Sequence, residues 1–208
     1  MDWVEAATLP CAAVTAWHAL FEQHRTFTSN DTVLIQGTGG VALFALQFAK
    51  AAGAKVIMLS SSDDKLAIVK EMGADITINY KLHPQWDIEV LRATSNAGVD
   101  IILELGGKET LERSIRSLAP HGVIAQVGIL TGTDLQPDNL VNLILNNGSV
   151  SGVLVGSREH FENMTAFVSK HKIKPVVDST FAFENVENAV AHLRGAQHMG
   201  KIAIKISD

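Results

Sequence analysis

A glycine-rich turn stands near residue 40, between two apolar segments. Residues 37–42 read Gly-Thr-Gly-Gly-Val-Ala, directly after the β-type run 32–35 and before a run rich in Ala, Leu and Phe. In this spacing Gly37 permits a tight bend, Gly39 lets the backbone approach a pyrophosphate, and Ala42 allows a helix to pack closely on a sheet. The free N–H groups at the start of that helix then face the phosphates. Against the alternative of a purely structural turn, the pattern predicts that a dinucleotide is bound by Gly37, Thr38, Gly39, Gly40 and Val41.

The second predicted strand ends in hydroxyl side chains. Ser60 lies about 20 residues after the turn, where an NAD-selective site carries an acidic residue, and Ser61 follows it. A carboxylate there would repel a 2′-phosphate, whereas hydroxyls can donate to it and Lys65, one helical turn farther on, can supply a cation. The segment therefore predicts NADP rather than NAD, although NAD stays possible. In the alternative interpretation the serines only cap the next helix and Lys65 is a solvated surface residue.

The elements that must position these residues are visible in the chain pattern. Short β-branched and apolar runs alternate with helical patterns from about residue 31 to residue 155, as in a parallel sheet covered by helices on both faces. Right-handed crossovers then give an α/β Rossmann fold, a doubly wound six-stranded parallel sheet in three layers with strand order 3-2-1-4-5-6. The predicted strands are residues 32–35, 55–59, 76–78, 100–103, 122–125 and 149–154.

Helical patterns flank and connect these strands. Helices are predicted at residues 12–23, 40–52, 62–72, 161–170 and 186–194, and a final strand at residues 201–206. The helix at 62–72 has the clearest boundaries, because Ser61 or Ser62 can cap its start and Gly73 follows its end. We expect three parts, namely a helical lead-in at residues 1–27, a dinucleotide-binding domain at residues 28–156 and a C-terminal segment at residues 157–208.

The composition is that of one ordinary globular domain. The 208 residues are 47% hydrophobic and 19% charged, enough for a substantial buried core. A formal net charge of -5, without a lysine or arginine cluster, argues against nucleic acid or acidic lipid and favours a small-molecule partner. No apolar run reaches the roughly 20 residues of a membrane span and no signal peptide is visible, so we expect a cytoplasmic protein.

Other kinds of chemistry lack their motifs. The single cysteine and the eight histidines do not have metal-ligand spacing, so no zinc site is expected within this chain. The sequence has no G-x-S-x-G nucleophile elbow and no P-loop lysine after the glycine turn. A methyltransferase that binds S-adenosylmethionine can show a similar turn, but it usually needs an acidic residue near the end of the second strand. This chain has Ser60 there, which disfavours that class of enzyme.

Four segments together resemble a known family. Residues 6–17 (AATLPCAAVTAW) precede the glycine turn, residues 60–66 (SSSDDKL) and 73–75 (GAD) follow it, and residues 200–204 (GKIAI) match a C-terminal strand. In combination they resemble the medium-chain dehydrogenase/reductases, and among these the NADP-dependent members related to zinc-type alcohol dehydrogenases and quinone oxidoreductases. The resemblance implies an oxidoreductase that transfers hydride to or from a carbonyl, a quinone or an enone.

The resemblance also implies further cofactor contacts. The position of Thr15 lies near the nicotinamide, and that of Tyr80 approaches the phosphate of the adenosine. Leu105 and Gly106 match the ribose side. The residues that match backbone lining the nicotinamide are Val127, Gly128, Ile129, Val153 and Val155.

Family members also have a GroES-like domain that holds the small-molecule substrate and most zinc ligands, and this sequence begins after it. The activity of these 208 residues alone is therefore an open question, and no catalytic residue can be named. Cys11 matches a zinc-ligand position, but we expect it to be a buried apolar residue. In the family the sixth strand pairs across a two-fold axis, which predicts a homodimer through residues 149–154. The alternative function is a cofactor-binding or interaction module without turnover.

Overall fold

The apolar runs pair into one parallel sheet. The computed structural model describes residues 1–134 and 140–206. Within these residues the strands of the sheet are hydrogen-bonded in the order 3-2-1-4-5-6, and all neighbours are parallel, which confirms the predicted order. In chain order the strands are β1 (Thr32–Gln36), β2 (Lys55–Ser60), β3 (Ile76–Asn79), β4 (Val99–Glu104), β5 (Leu118–Gln126) and β6 (Ser149–Gly152).

Helices cover both faces of the sheet. In chain order they are α1 (Trp3–Ala7), α2 (Val14–Phe21), α3 (Gly40–Ala51), α4 (Asp63–Glu71), α5 (Trp86–Ala93), α6 (Leu111–Ser117), α7 (Leu140–Leu145), α8 (Arg158–His171) and α9 (Val186–Arg194). Residues of α2, α3, α4 and α8 fill the core on one face, and residues of α5 and α6 fill the core on the other. Among the described helices, none has the length and apolar character needed to cross a membrane.

Each central strand contributes to both cores, which explains why the middle residues of these strands are apolar. Val33 and Ile35 of β1 belong to the core beside α3, while Leu34 between them belongs to the core beside α6. Because successive side chains of a strand point to opposite faces, a strand covered on both sides has no solvent-facing positions for polar residues. The three-layer arrangement follows directly from this pattern.

An aromatic cluster joins three helices on the α3 face. The ring of Trp17 in α2 lies 4.5 Å from that of Phe21, 6.2 Å from that of Phe48 in α3 and 5.3 Å from that of Phe167 in α8. Trp17 is buried, whereas Phe21 is half-buried. Offset aromatic contacts of this kind stabilise a core beyond the area that they bury. The cluster therefore attaches α8, which follows the main sheet in sequence, to the lead-in helix α2 and to α3.

The predicted lead-in helix at residues 12–23 is two elements. A π-helical segment, Leu9–Ala13, carries Pro10 in its first turn, where a missing N–H is tolerated, and α2 begins directly after it. The predicted helix at residues 161–170 starts earlier, at Arg158, because the Ser157 hydroxyl accepts a hydrogen bond from the backbone N–H of His160. Side-chain capping, rather than the apolar pattern, sets this boundary.

Several predicted strand limits are wrong. β1, β2 and β3 each end one residue later than predicted, and β4 is one residue longer at both ends. The fifth strand begins at Leu118 rather than at residue 122, and the sixth ends at Gly152 rather than at residue 154. The final strand, β8 (Lys201–Lys205), ends one residue early and pairs in parallel with an unpredicted strand, β7 (Val177–Ala182), in a second small sheet. The sequence of β7 alternates between half-buried and exposed residues, including Asp and Ser, so it lacks the apolar run of the main strands.

A buried carboxylate anchors the start of β1. Both Asp31 oxygens accept hydrogen bonds from the Arg25 guanidinium at 2.7 Å, and the Thr28 backbone N–H donates to the same carboxylate at 2.8 Å. Burial alone would raise the pKa of Asp31, but the hydrogen bonds from Arg25 and Thr28 outweigh it and lower that pKa below its ordinary value. Arg25 also donates to Asp100 in β4, whose other oxygen accepts from the Thr32 N–H. The amino ends of the two central strands are thereby linked.

Candidate functional site

The glycine turn has the backbone conformation that its sequence predicts. Gly37 has a φ of +77°, in the region that favours glycine, and its N–H donates to the carbonyl of Leu59 at 2.7 Å. Gly39 is extended and forms the N-cap of α3, with no side chain to cap the helix. A Cβ built on Gly39 would meet no heavy atom within 4 Å. The uncapped start of α3 therefore opens onto free space, which fits the binding of a phosphate group.

The C-terminal strap, defined as residues 196–201, lies against this turn. The Gly200 N–H donates to the carbonyl of Thr38 at 3.0 Å, and Gly39 and Gly200 form a parallel β-bridge. The aliphatic chain of Lys201 lies so close to Gly40 that a side chain there would collide with it. The conformation of the turn thus depends on a segment far away in sequence.

Lys65 joins the C-terminal strap to the end of the second strand. Its ammonium donates to the carbonyls of Ala196 and His198, each at 3.0 Å. Lys65 is therefore not the freely solvated surface residue of the alternative interpretation. Burial lowers the pKa of His198, and the nearby Lys65 charge also lowers it, against the opposing effect of Asp178. The neutral imidazole adds no further positive charge beside Lys65 near neutral pH.

The serines at the end of β2 have different hydrogen-bonding roles. Ser60 is buried, and its hydroxyl accepts a hydrogen bond from the Ser62 N–H at 3.4 Å. Ser62, rather than Ser61, caps α4 by accepting from the Lys65 N–H at 3.4 Å. Tyr80 lies beside them, because its backbone N–H donates to the carbonyl of Ser60 at 3.0 Å, and its side chain is 40% exposed. The structure thus brings the residues predicted for the adenosine end together at the carboxyl ends of β2 and β3.

A fully buried carboxylate, Glu104, lies at the carboxyl end of β4. Its donors are the backbone N–H groups of Gly106 and Gly107, the side-chain amide of Gln36, and the hydroxyls of Thr110 and Ser114. The two backbone bonds measure 2.9 Å and the amide bond 2.6 Å. A charge without exposed surface is tolerated only where such donors surround it.

Gln36 extends this network to the glycine turn, which it directly precedes. Its side-chain oxygen accepts hydrogen bonds from the N–H groups of Leu105 at 3.0 Å and Gly106 at 3.1 Å. Sequence reasoning missed both Gln36 and Glu104. A signal was present, since each is a polar residue that directly follows three apolar residues in its strand, but the pairing between them is long-range. Leu105 and Gly106 are thereby fixed beside the turn.

The residues after β5 pack on the same loop. Val127 and Gly128 donate their N–H groups to the carbonyl of Glu104 at 2.9 and 3.1 Å. A Cβ on Gly128 would collide with the carbonyl of Leu105, so only glycine allows this approach. Ile129 is half-exposed beyond them. These predicted residues therefore lie together along the carboxyl edge of the sheet.

The remaining predicted residues, Val153, Val155 and Thr15, differ in burial and in backbone conformation. Val153 is buried, and its N–H donates to the carbonyl of Gln126 at 2.9 Å, whereas Val155 is half-buried with a φ of +48°. Thr15 is also buried, and its hydroxyl donates to the carbonyl of Cys11 at 2.7 Å within its own helical segment. The Thr15 hydroxyl is thus already engaged by the backbone.

Cys11 is exposed, so the prediction that it is a buried apolar residue is wrong. It lies on the outer side of the π-helical segment, whose inner side is filled by Leu9, Ala12 and Ala13. Within residues 1–134 and 140–206, no group of three or more His, Cys, Asp or Glu side chains could hold a metal ion. The described residues therefore do not fit a zinc site.

Comparison with known proteins gives a consistent result. Residues 40–170 match a family model described as zinc-binding dehydrogenase. The chain is 43% identical over 211 residues to a zinc-type alcohol dehydrogenase-like protein of Schizosaccharomyces pombe, with 99% of the chain and 61% of that relative covered. A solved structure from Sinorhizobium meliloti, provisionally described as an alcohol dehydrogenase, has a TM-score of 0.93 and 41% identity, with 99% and 59% covered. The structure of an NAD-dependent alcohol dehydrogenase has a TM-score of 0.90 and 29% identity, with 100% and 60% covered. The chain thus spans about three fifths of these proteins.

The Glu104 network gives a test of what holds the crevice together, where the crevice is the space at the carboxyl ends of β1 and β4, between which the strand order reverses. We expect Glu104→Ala to lower the free energy of unfolding by about 3 kcal/mol or more, because several buried donors lose their acceptor. Urea unfolding of the purified chain measures this. Glu109→Ala, which removes an exposed carboxylate from the same loop, is the matched control and should change stability by under about 0.5 kcal/mol. Equal effects of the two variants would contradict the role given to Glu104.

Proposed function

Since the chain belongs to the zinc-binding dehydrogenase family, we propose that its crevice holds NADP(H) for hydride transfer to or from a carbonyl, a quinone or an enone. The membership confirms the resemblance to the medium-chain dehydrogenase/reductases, and the chain is the NAD(P)-binding portion of such an oxidoreductase. The observation that carries the proposal is the uncapped start of α3, which opens at Gly39 onto free space.

The pyrophosphate binds at the glycine turn in this proposal. The first N–H groups of a helix have no partner within the helix, and its N-terminus carries a partial positive charge. Gly37, Thr38, Gly39, Gly40 and Val41 form this position. Gly39 lets the phosphate oxygens approach the backbone, and Thr38 is fixed through its bond from Gly200.

The adenosine half binds over β2 in this proposal. The residues beside its 2′-phosphate give the preference for NADP. Ser60 and Ser61 stand where an acid would exclude that phosphate, and Tyr80 lies beside them. The carboxylate of Asp63 is engaged by the side-chain amide of Asn79 at 2.7 Å, which supports this assignment because it reduces the repulsion at the site. Lys65 has three N–H donors and uses two on carbonyls, so one remains for a phosphate oxygen.

The nicotinamide half binds over the ends of β4, β5 and β6. This position follows from the topology, because the two halves of a dinucleotide lie on opposite sides of the point where strand order reverses. Besides Thr15 on α2, the backbone that we assign to this half consists of Leu105, Gly106, Val127, Gly128, Ile129, Val153 and Val155.

These positions assign the hydride chemistry to the cofactor and its orientation to the residues of this chain. When bound, NADP(H) supplies the hydride acceptor or donor at its nicotinamide ring. The residues of this chain bind and orient that ring, and they contribute no metal ligand set among the described residues. We assign the small-molecule substrate to a further domain, since the relatives are longer than this chain.

The parts at residues 1–27, 28–156 and 157–208 remain our proposal for the organisation of the chain.

The edge of the sheet at β6 supports a homodimer. β6 is the last strand in the sheet order, so one side of its backbone has no partner strand within the described residues. Val150 in β6 is 42% exposed. The neighbouring helix α7 exposes four apolar side chains by between 55% and 74%, those of Leu140, Val141, Ile144 and Leu145. Apolar exposure at an edge strand favours pairing with a second copy.

The glycine turn provides the direct test of cofactor binding. We expect Gly39→Val to weaken NADPH binding by about a hundredfold or more, because its side chain would occupy the space assigned to the pyrophosphate. The fold should remain intact, since this space is empty and the φ of Gly39 is -77°. Calorimetric titration measures the affinity, with Ala97→Val as a control that introduces the same side chain at an exposed position before β4, at the opposite edge of the sheet. Unaltered affinity in Gly39→Val would remove the turn from the site.

The preference for NADP is tested at Ser60. We expect Ser60→Asp to shift the ratio of NADPH to NADH affinity towards NADH by about tenfold or more, because the new carboxylate repels the 2′-phosphate. Ser62→Asp adds the same charge but keeps a good helix cap, so its shift should be smaller. Titration with both cofactors, together with thermal unfolding of each variant, gives the comparison. A ratio that stays constant in Ser60→Asp would refute the phosphate pocket.

The homodimer is tested by light scattering during size exclusion. We expect the chain to elute as a dimer and Val150→Asp to raise its dissociation constant by about a hundredfold, because a carboxylate would be buried without a partner. Ile68→Asp changes an apolar residue of α4 with similar exposure, 46%, and should leave the dimer intact. A monomeric unmodified chain at micromolar concentration would contradict the proposal.

A further inference from the structure

Two histidines hold the turn that follows β6. The Nδ1 atom of His18, in α2, lies 3.0 Å from the carbonyl oxygen of Val155. Because a carbonyl can only accept, this nitrogen carries the hydrogen and donates it. The His18 ring also lies 4.8 Å from the ring of His160 in α8, whose own Nδ1 accepts from the Ser157 N–H at 3.3 Å. The turn is therefore fixed from both α2 and α8.

The backbone at Val155 needs such support. Its φ of +48° lies in the left-handed region, where a β-branched residue is a rare exception. Conformations of this kind persist only where the surroundings hold them, and they cluster at functional sites. The next residue, Gly156, packs so closely on α2 that a Cβ would collide with the side chain of Val14. Contact with Val14 and the hydrogen bond from His18 together hold the strained turn against α2.

The position of this turn connects it to the cofactor. Val155 follows the carboxyl end of β6, on the same edge of the sheet as the glycine turn and on the side away from β2. By the topology, this side receives the nicotinamide half of a dinucleotide. His18 lies one helical turn from Thr15, and it reaches Val155 across a long sequence separation.

We propose that His18 is a positioning residue for the nicotinamide end of the cofactor, because its hydrogen bond to Val155 keeps the left-handed turn in the shape that borders the crevice. The inference rests on the proposed function but adds a residue outside the cofactor contacts. His18 itself does not touch the cofactor in this account. Its effect is transmitted through one backbone carbonyl, so it should act on one half of the ligand only.

The experiment compares two ligands and two variants of the chain. NADPH contains the nicotinamide, whereas 2′,5′-ADP contains only the adenosine half with its 2′-phosphate. His18→Phe keeps an aromatic ring beside His160 but has no N–H, while His18→Asn places an amide N–H close to the position of Nδ1. We expect His18→Phe to weaken NADPH about three- to tenfold, as the loss of one hydrogen bond would, and to leave 2′,5′-ADP affinity unchanged. His18→Asn should restore NADPH affinity to within about twofold of the original.

A double-mutant cycle with Val155→Gly adds an independent measurement. Glycine adopts a φ of +48° without strain, so the turn then needs less support. We expect His18→Phe to weaken NADPH binding less in the Val155→Gly background than in the original chain.

The outcomes separate this inference from the proposed function. Equal weakening of both ligands by His18→Phe would mean a general structural role and would overturn the inference, as would unchanged NADPH affinity. Failure of His18→Asn to rescue, or equal effects of His18→Phe in both backgrounds, would also overturn it. If the unmodified chain binds neither NADPH nor 2′,5′-ADP, the proposed function fails, and the inference fails with it.

Discussion

The buried charge of Glu104 is the constraint around which the crevice is built. A carboxylate with no exposed surface must collect donors, and those that it collects come from the loop after β4, from α6 and from the residue just before the glycine turn. Each donor is thereby fixed relative to the others. The ends of β1 and β4 consequently keep one relative position at the point where the strand order reverses.

The rest of the site extends outwards from this centre by backbone contacts. Gln36 holds Leu105 and Gly106, and the Glu104 carbonyl holds Val127 and Gly128. Few side chains are therefore needed to shape the surface that we propose faces the cofactor. This explains why glycine and aliphatic residues, rather than acids or bases, dominate the predicted contacts. It also fits a protein portion whose contribution is orientation, with the reactive group supplied by the nicotinamide.

The sequence was informative where the physics is local. Strand order followed from repeated apolar runs and from crossover handedness, and the conformation of Gly37 followed from its place in the turn. Interactions between distant segments were not predictable in this way. Nothing near Lys65 reveals that the carbonyls of Ala196 and His198 accept from it. The exposure of Cys11 was mispredicted because the π-helical segment changes which residues face inwards.

The bond between Gly200 and Thr38 has a consequence for biosynthesis. The glycine turn is synthesised well before residue 200, and the main sheet needs only the strands up to β6. Residue 200 is synthesised much later, and only then can its N–H reach the Thr38 carbonyl and complete the conformation of the turn. A nascent chain that already has its main sheet therefore still lacks the hydrogen bond that completes the glycine turn. If the turn holds the pyrophosphate as we propose, the cofactor site of this chain is complete only after translation has passed the C-terminal strap.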